Sequence, residues 1–231
     1  MDYVFTPPAQ VSVPVVGSAQ MFPLRRIYCV GRNYAEHAKE MGFTGREDPF
    51  FFSKPTDAVV PVAAGETGQI AYPPKTSNLH YEMELVVVLG KGGRDIPVEQ
   101  ANDYVWGYAL GLDMTRRDLQ NDAKKQGRPW ETGKAFEQSA PMGPVHPRGH
   151  VGTLEKGAIW LDVDGQRKQS SDLGQMIWNI PESIAYLSSL FTLQAGDAIF
   201  TGTPEGVGAV VSGNVITGGV DGLGTLSVRI L

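Results

Sequence analysis

The run Glu82-Met83-Glu84-Leu85-Val86-Val87-Val88-Leu89-Gly90 narrows the folds open to this chain more than any other stretch. Five consecutive apolar residues, three of them β-branched, are stopped by glycine, the pattern of a short buried strand. Alternate side chains of a strand share a face at a spacing of about 7 Å. His80, Glu82 and Glu84 are therefore expected to point one way, and Tyr81, Met83 and Leu85 the other. Two carboxylates on a strand that enters a core repel each other and lose hydration, and a divalent cation would offset both costs. The ordinary alternative is an exposed strand end with two solvated glutamates.

A chain of 231 residues, 42% apolar, is long enough to bury a full core as one large domain. Its 28 glycines and 16 prolines favour many short strands joined by tight turns over a helical bundle. The net charge of −5 argues against nucleic acid as a partner. The single cysteine, Cys29, excludes an intrachain disulfide and a multi-cysteine zinc site. No apolar run approaches membrane-spanning length, and residues 1–8 lack the pattern of a secretion signal. The expectation is a soluble cytoplasmic protein with no membrane partner.

Residues 1–24 read as a proline-rich extended arm or hairpin, and 25–231 as the main domain. Arg26–Gly31 reads as a buried strand. A short helix is expected between Asn33 as N-cap and Gly42 as stop, with His37 and Glu40 three residues apart on one face. Glu36 and Lys39 form a similar pair, so an ordinary salt-bridged surface helix is the bland alternative. In Tyr104–Thr115 the large residues Tyr104, Trp106, Tyr108, Leu110 and Leu112 share one face. Val105, Gly107, Ala109, Gly111 and Asp113 share the other, where space is left for something to approach. Lys134 stands between glycine and an apolar Ala-Phe pair, a partly apolar setting for an amine. Asp164-Gly165 is a hairpin corner, and Pro181–Phe191 a core helix. The turn Gly202-Thr203-Pro204-Glu205-Gly206-Val207-Gly208 offers N–H groups and a hydroxyl to an anion, or is a plain strand-end loop.

Glu82, Glu84 and Asp113 are three carboxylates at or near strands. Hard oxygen donors select Mg²⁺, Mn²⁺ or Ca²⁺ over zinc or copper, and three protein ligands leave positions for water and substrate.

With these residues the chain resembles the fumarylacetoacetate hydrolase family from about Arg26 onward. The resemblance rests on Val30-Gly31-Arg32-Asn33-Tyr34 with His37 and Glu40, on Phe52-Ser53-Lys54-Pro55, on His80-Tyr81-Glu82-Met83-Glu84-Leu85, and on Gly111-Leu112-Asp113-Met114-Thr115 with Arg117, Asp118 and Gln120. Lys134 and Thr201–Gly208 complete it. It implies an α+β fold with a mixed β-roll or β-sandwich core, short surrounding helices and a homodimer. It implies Mg²⁺ or Mn²⁺ on Glu82, Glu84 and Asp113, a water-activating His37/Glu40 dyad, and Lys134 in contact with substrate. Arg32, Arg117, Gln120 and Thr203 would then hold substrate oxygens. The implied activity is metal-dependent hydrolysis of the C–C bond of an acylpyruvate, fumarylpyruvate giving fumarate and pyruvate in gentisate-type aromatic catabolism. Oxaloacetate decarboxylation and dienoate isomerisation use the same metal grip, and a metal-stabilised binding protein is the non-enzyme alternative.

Overall fold

The structure is a computed structural model that describes residues 2–36 and 46–231. Its centre is the strand Met83–Leu89, all seven residues of which are buried. Met83, Leu85, Val87 and Leu89 enter one apolar core, while Val86 and Val88 enter a second on the opposite face. A continuous apolar run is what a strand covered on both faces requires. The strand lies fourth in a mixed sheet ordered Phe50–Lys54, Ile27–Gly31, Ala198–Phe200, Met83–Leu89, Val105–Leu112, Ala140–Met142 and Val59–Pro61, with His146–Pro147 also on Val105–Leu112.

A five-stranded sheet, ordered Gln166–Asp172, Ala158–Val163, Val215–Val220, Gly224–Ile230 and Thr67–Ile70, packs over the larger core. The Asp164-Gly165 corner has φ of 50° and 76°, the left-handed pair that a two-residue hairpin turn needs. A small third sheet joins Thr115–Arg116, Leu79–Tyr81 and Gly208–Val210. The hairpin Ser12–Pro14 with Met21–Pro23 buries Val13 and Phe22 in the second core.

The expected strand from His80 to Gly90 is interrupted. Leu79–Tyr81 belongs to the small sheet and Met83–Leu89 to the large one, so the chain changes sheets at Glu82. The break has a local cause. The Met83 N–H is taken by the Gln169 side chain at 3.0 Å, and the Glu82 carbonyl accepts the Asp113 N–H at 2.9 Å.

The main helices are Arg117–Gln126, closed by Gly127 at φ 62°, and Ile180–Leu190. The second begins with a capping box in which Asn179 and Glu182 bond each other's backbone N–H. The small face of Val105–Leu112 is filled from within the protein. A Cβ at Gly111 would meet the Phe200 ring at 2.5 Å and Val86 at 2.6 Å. Among the described residues no helix is long and apolar enough to cross a membrane.

Candidate active site and metal centre

The break at Glu82 turns two neighbouring acidic side chains toward a third. Glu82, Glu84 and Asp113 each offer an oxygen within 4.8 Å of the others, and all three are buried. Register explains the convergence. Glu84 pairs with Gly111 across the sheet and Met83 with Leu112, which puts Asp113 just beyond the strand end and opposite Glu82.

Cations surround this triad unevenly. The Lys134 ammonium donates to Glu82 Oε2 at 2.7 Å, Asp113 Oδ2 at 2.6 Å and Thr115 Oγ1 at 2.7 Å. Burial works against that ammonium, but Asp113 and Glu82 outweigh it and hold its pKa above the ordinary lysine value. Arg117 pairs with Glu82 Oε1 through Nη2, donates to Gln120 Oε1 at 2.6 Å, and donates through Nε to His80 Nδ1 at 3.3 Å. His80 Nε2 lies 2.9 Å from Asn78 Oδ1. A neutral ring that donates at Nε2 and accepts at Nδ1 satisfies both contacts, and burial and Arg117 push the His80 pKa down to about 4.

Glu84 is different. Among the described residues no cation pairs with it, and its Oε2 accepts the Gly202 N–H at 2.7 Å. Burial, then Asp113 and Glu82, drive its pKa well above the usual carboxylate range. A buried carboxyl without a counter-ion, beside two others, is an all-oxygen donor set that fits a hard divalent cation. The site therefore fits Mg²⁺ or Mn²⁺ on Glu82, Glu84 and Asp113.

The other residues singled out in the sequence fall as follows. Thr203 lines the same cavity, but its hydroxyl donates to the Met83 carbonyl at 2.8 Å and accepts from Gln169 Nε2 at 2.9 Å. Arg32 also lines the cavity, at φ 54°, with its guanidinium 4.6 Å from the Phe50 ring centroid. Arg117 and Gln120 sit on the first turns of the Arg117–Gln126 helix, facing Glu82. His37 and Glu40 lie outside the described residues, as do Lys39 and Gly42.

The helix expected after Asn33 runs on into residues outside the described ones. The Asn33 amide donates to the carbonyls of Trp178 and Thr201, each at 2.8 Å, and its Oδ1 accepts the Trp178 N–H at 2.7 Å. The side chain is buried and ties three segments together.

Two positions were not legible as site residues from their own sequence surroundings. Lys54 is buried with Nζ 2.8 Å from Asp113 Oδ1, 3.2 Å from the Met114 carbonyl, and bonded to the Lys134 carbonyl. Gln169 reaches the site from the otherwise exposed strand Gln166–Asp172, where it is the one fully buried side chain. The available signal for Lys54 was its place in the motif Phe52-Ser53-Lys54-Pro55, which carried the family resemblance but no role; for Gln169 there was none.

A cavity of about 30 Å³ is left among these groups, lined by the triad, Arg32, Phe52, Arg117, Lys124, Trp130, Lys134 and Thr203 among others.

Comparison with known proteins agrees with this arrangement. A family model described as fumarylacetoacetate (FAA) hydrolase C-terminal matches residues 26–231. A fumarylpyruvate hydrolase from Ralstonia sp is 50% identical over 184 residues, 80% of this chain and 93% of that protein. A mitochondrial oxaloacetate decarboxylase from Dictyostelium discoideum is 46% identical over 201 residues, 87% of this chain and 91% of that protein. Among solved structures, a fumarylpyruvate hydrolase from Pseudomonas aeruginosa in complex with Mn²⁺ and pyruvate superposes with a TM-score of 0.98 at 60% identity, covering 100% of this chain and 99% of that one. By the extent of these matches and by its fold, the chain belongs to the fumarylacetoacetate hydrolase family.

Proposed function

We propose that this protein is a Mg²⁺- or Mn²⁺-dependent hydrolase of acylpyruvates, with fumarylpyruvate as substrate and fumarate and pyruvate as products. The observation that carries the reading is the buried triad Glu82, Glu84 and Asp113, with no cation among the described residues paired to Glu84. The 60% identical relative solved with Mn²⁺ and pyruvate supports both the metal and the product. The protein acts as a homodimer in this reading, as the family resemblance implies, and in the cytoplasm, as the single cysteine and the composition suggest.

When bound, the divalent cation supplies positive charge for the carboxylate and 2-oxo oxygens of the substrate's pyruvyl end. Lys134, already held by Glu82 and Asp113, is the protein cation beside that end and stabilises the negative charge that develops on it. Arg117, fixed by Glu82, His80 and Gln120, keeps the Glu82 carboxylate in one orientation. His37, oriented by Glu40, takes a proton from the attacking water. The hydroxide adds to the distal carbonyl carbon, the C–C bond to the pyruvyl methylene breaks, and its electron pair stays with the pyruvyl fragment. Return of the proton to that carbon gives pyruvate, while the acyl fragment leaves as a carboxylic acid.

A second reading, decarboxylation of oxaloacetate, is favoured by the relative of that name at 46% identity. It needs the same charge stabilisation but no water-derived nucleophile. Turnover of both substrates by the Mn²⁺-loaded wild type, His37→Ala and Glu84→Ala decides between them. His37→Ala should lose about 10²–10⁴-fold in fumarylpyruvate hydrolysis, keep its Mn²⁺ and lose much less on oxaloacetate. Glu84→Ala should lose Mn²⁺ binding by calorimetry. Wild-type hydrolysis by His37→Ala, or full Mn²⁺ affinity in Glu84→Ala, would overturn the assignment.

A further inference from the structure

The cations lining the cavity do not all have work to do in holding the triad. Arg117 is spent on Glu82, Lys134 on Glu82 and Asp113, and Lys54, behind the cavity, on Asp113. Lys124 is not spent on any of them. It lines the cavity, its Nζ is shielded from solvent, and among the described residues that nitrogen has no hydrogen-bond partner. Its neighbour is the Trp130 ring, 4.9 Å from Nζ to the centroid, an attraction that offsets part of the lost hydration. Leaving a buried ammonium otherwise unanswered is costly. Such a group is stable in place when an anion joins it for part of the working cycle.

Its position says where that anion lies. Arg117, Gln120 and Lys124 stand at i, i+3 and i+7 of the helix Arg117–Gln126 and so share one face. Arg117 marks the triad end of that face through its pairing with Glu82. Lys124 is two turns further on, about 10 Å along the axis at 1.5 Å per residue. An extended six-bond carbon chain spans about 7 Å, since three backbone bonds span about 3.5 Å, and the lysine side chain covers the remainder.

Resting on the proposed function, we infer that Lys124 is the receptor for a second carboxylate on the substrate, at the end remote from the 2-oxo acid group, and that it selects dicarboxylic substrates over monocarboxylic ones. Fumarylpyruvate carries such a group six bonds from its first carboxyl carbon. Acetylpyruvate does not carry one. The apolar wall beside Lys124, Phe52 and Trp130, suits the chain between the two charged ends.

Two uncleavable 2-oxo acids of equal length test this without turnover. 2-Oxopimelate has a distal carboxylate, and 2-oxoheptanoate ends in a methyl group. Calorimetric titration of the Mn²⁺-loaded protein should show wild type preferring 2-oxopimelate by about 10- to 100-fold, the scale of one hydrogen bond to a charged group. Lys124→Met should bring the ratio of the two affinities close to one, and Lys124→Arg should restore most of it. Lys125→Met, at the exposed next position, should leave the ratio as in wild type. Equal binding of both acids by wild type, or an undiminished ratio in Lys124→Met, would overturn the subsite and leave Lys124 as packing against Trp130. Failure of both acids to bind the loaded wild type would instead overturn the 2-oxo acid reading, and the subsite with it.

Discussion

Lys124 and Lys134 share a cavity, yet their pKa values move in opposite directions, and the difference is one of partners. Lys134 is more deeply buried but touches two carboxylates, so its ammonium is held. Lys124 has burial against it, then repulsion from Arg117, offset in part by the more distant Glu82, with Lys134 and Arg32 adding to the repulsion. Its pKa falls to about 8. Between about pH 8 and the ordinary lysine value, the native state binds fewer protons than the unfolded chain, so this group's penalty on stability is present below that window and fades as pH rises through it. Binding of a distal carboxylate runs the other way, because it needs the ammonium. The affinity ratio of 2-oxopimelate to 2-oxoheptanoate should be largest at about pH 7 and shrink by about pH 9.5. Taking the ratio cancels the pH effects that the two acids share at the metal. A ratio constant over that range would mean that no cation titrating near 8 meets the distal group. Lys54 shows the opposite legibility. Nothing in Phe50–Lys54 taken alone distinguishes a buried lysine closing a strand from an exposed one, and only the fold brings Asp113 within 2.8 Å of its Nζ.

Among the elements, the turn after Ala198–Phe200 matters most to the site, because its backbone holds Glu84, the triad carboxylate that no side-chain cation among the described residues holds. Thr201 bonds the Leu85 carbonyl through both N–H and hydroxyl, Gly202 N–H bonds Glu84, and the Thr203 hydroxyl bonds the Met83 carbonyl. Successive residues thus grip the strand that carries the two glutamates. Gly202 has φ 95°, and a Cβ there would meet Asn33 Cβ at 2.7 Å. Gly202→Ala should therefore cost about 2 kcal/mol or more from backbone strain and crowding together, read as a lower urea midpoint. It should also weaken Mn²⁺ binding, because the N–H that orients Glu84 moves. An unchanged Mn²⁺ affinity would show that this turn does not set the position of Glu84. The glycines of the turn suggest an anion site in the sequence, and Gly202 N–H does meet an anion, although that anion is the protein's own carboxylate.

For the whole molecule, the metal site sits at the rim of a core that does not depend on it. Two apolar clusters flank the strand Met83–Leu89 and draw on both large sheets, the N-terminal hairpin and the helix Ile180–Leu190. Lys54, Arg117 and Lys134 already neutralise Glu82 and Asp113 without an ion. Chelation should accordingly abolish turnover and leave the protein folded, with circular dichroism unchanged at room temperature. Restoring Mn²⁺ to about a hundred times its Kd should add about 2.7 kcal/mol, which raises Tm by roughly 5–10 °C for a domain of this size. Unfolding on chelation would make the ion structural and remove the reason for leaving Glu84 without a counter-ion.

Local and periodic features are legible along the chain: the buried strand with two glutamates at its head, the Asp164-Gly165 corner, the helix near Pro181, and a third carboxylate at the end of Val105–Leu112. These follow from side-chain period, turn chemistry and apolar content, which act over a few residues. Tertiary structure decided the rest. Whether Glu82 and Glu84 face water or one another depends on the change of sheet at Glu82, made by the Gln169 side chain 86 residues away. Which segments Asn33 ties together depends on the fold bringing Trp178 and Thr201 to it. Whether Lys134 or Lys124 is paired depends on which carboxylates the sheet register delivers. Burial and pairing of charge are properties of through-space neighbours, and no spacing along the chain encodes them until strands and turns have brought those neighbours together.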